Sequence, residues 1–286
     1  MKRVESRVMK PDATRWFVCP ACRGDLTLDA TESREITTGS LACAPCGQRY
    51  PIVRGVPRFV GAEAYADTFG RQWTRWSRTQ HDSLNGTAIF RGRLERYSGW
   101  TPESMAGKVV VDGGCGPGGF VDVVEKHAAV VIGFDLSVAI DAAYALHGAR
   151  ENVYLAQGDI FAPPIRPGVC DRLYTFGVVQ HTPDPERAFR SLIPLVKEGG
   201  EIAVWVYRRM LVPQPSYWLR LFTNRMDEPW ASRFIEWYVP LALKVSGGLG
   251  AVPRVGKLLR RLVPVADYRG RYPLSDEQVR EWALMD

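Results

Sequence analysis

No run of eighteen uninterrupted apolar residues occurs in the 286-residue chain, so no transmembrane segment is expected. The nearest approach, residues 237–256, is interrupted by Lys244, Arg254 and several glycines. The first seven residues, Met1-Lys-Arg-Val-Glu-Ser-Arg, carry basic side chains without the apolar stretch that a secretory leader sets behind them, and a cytoplasmic protein is expected. Internal repeats and low-complexity tracts are also missing, which sets aside solenoid arrays and long disordered tails. What remains is an ordinary globular composition, 46% hydrophobic and 24% charged, in a chain long enough for one large domain and a small one.

The net charge of +6 is unevenly spread. Residues 1–60 carry +4, 61–106 carry +1, 107–207 carry −4 and 208–286 carry +5. Basic flanks favour an acidic partner such as RNA, a phosphorylated substrate or an anionic lipid surface. A solvated, arginine-rich surface accounts for them equally well.

Four of the six cysteines fall within residues 1–60, expected to form a small domain of short β-prone runs. Cys19-Pro-Ala-Cys22 and Cys43-Ala-Pro-Cys46 are two C-x₂-C knuckles separated by twenty residues. Each aims two thiolates at one point, and together they complete a closed four-sulfur shell suited to a structural zinc. Gly24 and Gly47 follow the pairs, where a tight turn brings backbone amides towards the sulfurs. Two disulfides are the alternative in an oxidising compartment, whereas a thioredoxin-type redox pair lacks its βαβ surroundings here. The stretches Cys19-Pro-Ala-Cys-Arg-Gly-Asp-Leu26 and Cys43-Ala-Pro-Cys-Gly-Gln-Arg-Tyr-Pro-Ile-Val-Arg-Gly-Val-Pro57 resemble the zinc ribbon of the small methyltransferase-activator family, which serves certain RNA and protein methyltransferases. In some bacterial enzymes, ribosomal RNA guanine methyltransferases among them, a comparable module precedes the catalytic domain in the same chain. That ribosomal family is not matched outside these features.

From Lys108 to about Tyr207 apolar runs alternate with helical patterns. The runs are 109–112, 130–134, 153–157, 172–176 and 201–207. Near-continuous apolar strands separated by helices predict a doubly wound, mainly parallel α/β sheet covered on both faces. Asp112-Gly-Gly-Cys-Gly-Pro-Gly118 follows the first strand, where glycines let the backbone turn sharply and approach a ligand. Many nucleotide-binding folds carry such a loop, so the later strand ends decide. Asp135 closes the second strand 21 positions after Gly114, where a doubly wound fold places a carboxylate on ribose hydroxyls. Asp159 and Ile160 end the third, placed to meet an adenine; the alternative for Asp159 is a helix N-cap, a role that Ser137 takes over from Asp135. Phe176-Gly177-Val178 ends the fourth. An acid ahead of the glycines separates this pattern from the Gly-x-Gly-x-x-Gly of dehydrogenases.

At these four strand ends residues 108–207 resemble the Rossmann-like class I S-adenosylmethionine (SAM)-dependent methyltransferases, of the type 11 form. The resemblance implies SAM as donor and S-adenosylhomocysteine as product. It also implies a site built from Asp112, Gly113, Gly114, Cys115, Gly116, Gly118, Asp135, Leu136, Asp159, Ile160, Phe176 and Gly177. His181, in the stretch Gly177-Val-Val-Gln-His-Thr-Pro-Asp-Pro185, is the candidate base; ordering the loop or packing beside the cofactor is its alternative. No Asn-Pro-Pro-Tyr follows the fourth strand, which disfavours adenine and glutamine N-methylation. No cysteine stands there either, which disfavours covalent attack on a pyrimidine carbon. Cys115 and Cys170 read as packing residues.

Residues 61–106 read as a helical linker or N-terminal lid, and Phe69 and Trp73 within Thr68-Phe-Gly-Arg-Gln-Trp73 are expected over the cofactor or against the sheet. Residues 208–286 read as a helical insertion or lid. The segment 208–270 is a candidate homodimer face, or a surface helix against anionic lipid. The family's final antiparallel strand pair is missing from 270–286, which instead reads as a capped helix from Ser275. The expected function is methyl transfer to oxygen or nitrogen of a small molecule or sugar. RNA methylation, with the ribbon for docking, and a non-catalytic SAM-binding adaptor are the alternatives.

Overall fold

The structure, a computed structural model, describes residues 9–29, 36–61, 77–207 and 225–285, with a few isolated helical positions between 215 and 223. Phe69 and Trp73 lie outside the described residues. The chain divides into two compact units, Met1–Tyr207 and Arg208–Asp286.

In the first unit, strands β1 (Leu26–Asp29), β2 (Thr38–Cys43), β3 (Arg49–Val53) and β4 (Val56–Pro57) form an antiparallel meander in chain order. Alternation sets its inner face: in β3, Tyr50 and Ile52 are buried while Arg49, Pro51 and Val53 point out.

Strands β5 (Val109–Gly113), β6 (Val130–Asp135), β7 (Val153–Gln157), β8 (Cys170–Phe176) and β9 (Val196–Trp205) make the second sheet. Its order is β7-β6-β5-β8-β9, with every neighbouring pair parallel. The chain winds outward from β5 to β7, then crosses back to β8 and β9. The order therefore reverses between β5 and β8, and a crevice opens beyond their C-terminal ends. Burial along β5, β6 and β7 explains their near-continuous apolar sequence. Helices α1 (Ile89–Ser98), α2 (Val121–Val124), α3 (Ile140–His147) and α4 (Pro185–Leu192) belong to this unit. The α4 start follows the Pro-Asp-Pro signal: Asp184 accepts from the Arg187 amide at 3.0 Å, with Pro185 in the first turn.

Two strands differ from their sequence reading: β8 starts at Cys170 rather than Arg172, and β9 runs from Val196 to Trp205 rather than from Glu201 to Tyr207, passing through Gly199-Gly200. Gly199 has φ +74°, and a Cβ on Gly200 would stand 2.5 Å from Val196 Cγ1. Opposite them the β8–β9 register shifts between Cys170 and Arg172, so the glycines form a bulge inside the strand. Among the described residues no strand follows Trp205.

The meander closes the outer edge of β7. The Phe59 amide donates to Gln157 O at 2.8 Å, and Arg58 forms a parallel bridge to Gln157. The buried Arg58 guanidinium pairs with Asp141 and donates to Gln157 Oε1 at 3.2 Å. Arg23 donates to the carbonyls of Pro163 and Ile165, each at 2.6 Å. One hydrophobic core runs from Phe17, Leu41 and Phe59 into Ile132, Phe134 and Leu173. An otherwise open sheet edge is thereby covered.

The second unit contains α5 (Glu228–Gly250) and α6 (Asp276–Met285), which pack through Val239, Leu243, Val279 and Ala283. The capped start read near Ser275 is a reciprocal box: the Gln278 amide donates to Ser275 Oγ at 3.2 Å and the Ser275 amide to Gln278 Oε1 at 2.9 Å. No helix among the described residues is long and apolar enough to cross a membrane.

Candidate cofactor and acceptor site

The loop after β5 uses its glycines for two different purposes. Gly114, Gly116 and Gly118 have φ of +87°, +52° and +94°, the left-handed region that side-chain-bearing residues avoid. Gly114 is also pressed against the loop after β8, where a Cβ would come within 2.5 Å of Val178 Cγ2. Gly116 has nothing among the described residues within 4 Å of where its Cβ would be. Gly118 rests on α3, 2.9 Å from His147 Cδ2 by the same measure. Gly113 and the buried Cys115 lie between strand and loop, and Cys115 Sγ packs towards Gly133.

Asp135 ties this loop to the end of β6. Its Oδ2 accepts from the Gly116 amide at 2.8 Å, and its Oδ1 accepts from the Ser137 amide at 2.8 Å and hydroxyl at 2.6 Å. Ser137 Oγ in turn accepts from the Ala139 amide at 3.2 Å, so Ser137 caps the next turn and leaves Asp135 to the loop. The Leu136 carbonyl accepts from Gln157 Nε2 at 2.8 Å. Asp112 is buried, and its Oδ2 has no hydrogen-bond partner among the described residues. Burial pushes its carboxyl up to about 8, with the Tyr174 hydroxyl opposing and the Asp135 charge adding. Asp159 Oδ1 accepts from the Phe161 amide at 2.9 Å, across buried Ile160, and closes a turn; no helix follows it, so the N-cap reading of Asp159 does not hold.

Behind the loop, His147 Nδ1 lies 2.8 Å from Glu125 Oε2, and its ring stacks on His81 at 5.2 Å. Asp122 accepts from the Ser83 amide at 2.9 Å and hydroxyl at 2.5 Å. Asp122, Glu125 and His147 bring their ligand-type atoms within 4.8 Å of one another. Their oxygens already serve these donors, so the cluster clasps α2, α3 and residues 77–85 together.

The loop after β8 forms the other wall. Phe176 ends the strand, Gly177 turns it at φ +74°, and the Gly177 amide donates to Trp205 O at 2.8 Å. Tyr97 of α1 stacks on Trp205 with ring centres 4.4 Å apart and meets Phe176 edge-on at 5.4 Å. His181 stands edge-on to Tyr207 at 5.5 Å, and partial burial lowers its pKa below the usual 6.5. A neutral imidazole at pH 7 is able to take a proton. Sequence reasoning did not select Tyr97, Trp205 or Gln180; the aromatic richness around Tyr97 was a partial signal.

In the ribbon the four sulfurs converge. Cys19 and Cys46 Sγ lie 3.6 Å apart, Cys22 and Cys43 3.4 Å apart, and all four lie within 4.8 Å. The Tyr50 hydroxyl and Cys19 Sγ share a hydrogen bond at 3.1 Å. The turns differ from expectation in one respect. Arg23, not Gly24, adopts the left-handed conformation in the first knuckle, at φ +64°. Gly24 is needed for closeness instead: a Cβ there would lie 2.9 Å from Pro45 Cγ and 3.2 Å from Cys43 Sγ. Gly47, at φ +74°, makes the second turn as read.

Comparison with known proteins matches both halves of this unit. Residues 111–204 match the family model described as a methyltransferase domain, and residues 17–55 match that described as Trm112p-like protein. A ubiquinone biosynthesis O-methyltransferase of Cupriavidus pinatubonensis is 33% identical over 110 residues, covering 37% of this chain and 44% of that protein. Its namesake in Sodalis glossinidius is 31% identical over 129 residues, covering 44% and 48%. The chain thus spans less than half the length of these curated relatives. A solved S-adenosylmethionine-dependent methyltransferase from Mesorhizobium loti is 24% identical at a TM-score of 0.33, over 40% of this chain and 49% of that one. The chain joins a Trm112p-like segment to a domain of the methyltransferase type, in the order that its knuckles and glycine loop indicated.

Proposed function

We propose that this chain transfers the methyl group of SAM to an oxygen of a small molecule, leaving S-adenosylhomocysteine. One observation carries the reading: a left-handed glycine loop, Asp135 and the loop after β8 meet beyond the C-terminal ends of one parallel sheet. The residues fit the donor on two counts. Among the described residues, Gly116 leaves open space beside the loop, and buried Asp112 keeps one carboxyl oxygen without a partner. Asp112 and residues 113–118 would hold the methionine end. Asp135 and Leu136 would hold the ribose, and Asp159 and Ile160 the adenine. Phe176 and Gly177 would border the sulfur. When bound, SAM supplies an electrophilic methyl on a sulfonium. His181 would take the acceptor's hydroxyl proton. The names of the curated relatives support oxygen as the accepting atom.

Cys19, Cys22, Cys43 and Cys46 would hold a structural zinc, since Zn–S bonds of about 2.3 Å in a tetrahedron set sulfurs roughly 3.8 Å apart. Against the burial penalty, the Tyr50 hydroxyl and nearby amides draw Cys19 down to about 6, while burial pushes Cys43 up to about 12. A divalent cation removes that conflict between neighbouring thiols. A two-part experiment tests the assignment: calorimetric titration with S-adenosylhomocysteine, then methyl-labelled SAM offered to separate metabolite and RNA pools. Binding, with label in the metabolite fraction, is the expected result. Failure to bind overturns the donor assignment, and label confined to RNA overturns the small-molecule acceptor.

A further inference from the structure

Gln157, at the end of β7, is engaged at both ends of its side chain, by the meander on one side and by the donor site on the other. Arg58 Nη1 donates to its Oε1 at 3.2 Å, and its Nε2 donates to the Leu136 carbonyl at 2.8 Å. Chemistry fixes the orientation of this buried amide. A guanidinium has no acceptor atom, so Arg58 takes the oxygen end and turns the nitrogen towards Leu136. Arg58 is held in its turn by Asp141, in the first turn of α3, and donates to the Val53 carbonyl at 3.3 Å.

The Leu136 carbonyl and the Ser137 amide are the two ends of one planar peptide unit. Gln157 holds the oxygen of that unit, and its N–H donates to Asp135 Oδ1 at 2.8 Å. The Ser137 hydroxyl takes a second place on Oδ1, and the Gly116 amide takes one on Oδ2. A carboxylate offers about four acceptor places, so one remains on Oδ2 among the described residues. A single open place selects a hydroxyl only while the carboxylate is held in a fixed direction.

We propose that Gln157 is a positioning residue for the donor's ribose: it orients the peptide between Leu136 and Ser137, which orients Asp135, while Arg58 sets its amide. The meander thereby takes part in choosing the donor's sugar. The assignment rests on the donor reading above and goes beyond it by naming what aims the ribose carboxylate.

The test titrates the full chain calorimetrically with S-adenosylhomocysteine and with its 2′-deoxy and 3′-deoxy analogues. The unaltered chain is expected to bind the parent roughly 10- to 100-fold more tightly than the weaker analogue, the range for a hydrogen bond to a charged group. Gln157→Glu keeps an acceptor for Arg58 but has nothing to donate to the Leu136 carbonyl, and this preference is expected to shrink at least about threefold. Gln157→Met, close in volume and without either polar atom, is expected to do the same, so a single variant that does not fold leaves the test intact. Arg23→Met cuts a different tie between the ribbon and residues 163–165, and is expected to lower the melting temperature while the preference stays. An undiminished preference in the Gln157 variants overturns the proposal. An equal loss in Arg23→Met overturns it too, by reducing Gln157 to part of a general fastening. Binding by the unaltered chain without any hydroxyl preference overturns the ribose assignment alone, whereas failure to bind S-adenosylhomocysteine at all removes the donor reading and the proposal with it.

Discussion

Replacing Gly114 with alanine tests the donor loop at its tightest point. Two costs arise from one added methyl group. At φ +87° a Cβ-bearing residue is strained by about 1–2 kcal/mol. The new Cβ would also sit 2.5 and 2.6 Å from the two γ carbons of Val178, an overpacking typically worth about 1–3 kcal/mol. The sum, roughly 2–5 kcal/mol, has to appear somewhere. A loop that keeps its conformation shows it as lost stability, and a loop that moves shows it as lost cofactor affinity, about 30-fold to several-thousand-fold. Thermal melting and calorimetric titration with S-adenosylhomocysteine, on the same preparation, capture both. Val178→Ala separates the two contributions, because it removes the γ carbons but cannot relieve the backbone. In a double-mutant cycle the pair Gly114→Ala and Val178→Ala should show a favourable coupling of about 1–3 kcal/mol, with the left-handed strain remaining. A coupling near zero, or Gly114→Ala with melting temperature and affinity both unchanged, would refute the reasoning.

Asp112 should make stability fall with rising pH. Its folded pKa is raised to about 8 against an ordinary 3.8, so between those values the folded chain holds one more proton than the unfolded chain. The slope is at most about 1.4 kcal/mol per pH unit and should vanish in Asp112→Asn; parallel melting-versus-pH curves for the two proteins would contradict this. His181, whose pKa is lowered by burial, should be neutral across pH 7–8 and give methyl transfer an acid limb below pH 6.5. His181→Ala should lower kcat about 10²-fold and abolish that limb, and an unchanged profile would assign His181 to loop packing. Removal of zinc by a chelator, or Cys43→Ser, should unfold the meander and weaken S-adenosylhomocysteine binding as well, because Arg23 and Arg58 fasten the meander to residues 157–165. Lost zinc with full affinity, read by metal analysis and calorimetry together, would uncouple the two.

The parts legible in the sequence are those where one physical requirement acts on adjacent residues. β5, β6 and β7 are buried along nearly their whole length, so Val109–Val111, Val130–Ile132 and Val153–Leu155 announce themselves as strands without reference to any partner. The four cysteines are legible for the same reason, since the convergence of their sulfurs is written into the C-x₂-C spacing. Where the requirement comes from elsewhere in the chain, the local reading fails. Gly199-Gly200 has the composition of a turn and becomes a bulge only because β8 supplies the opposite strand. Gly24 resembles a turn glycine, yet the Pro45 ring and the sulfur of Cys43, about twenty residues on, are what exclude a side chain there. Gln180 is the extreme case. Its neighbour His181 attracts attention because an imidazole titrates near neutrality, whereas a glutamine is unremarkable in any loop. What makes Gln180 unusual is enclosure beside Trp205, against which Tyr97 has stacked from more than eighty residues earlier. A donor site can therefore be read from motifs, because one ligand imposes one pattern on consecutive strand ends. A contact set such as Gln180, Trp205 and Tyr97 is assembled from side chains that share nothing in sequence except their meeting place, and only the fold brings them together.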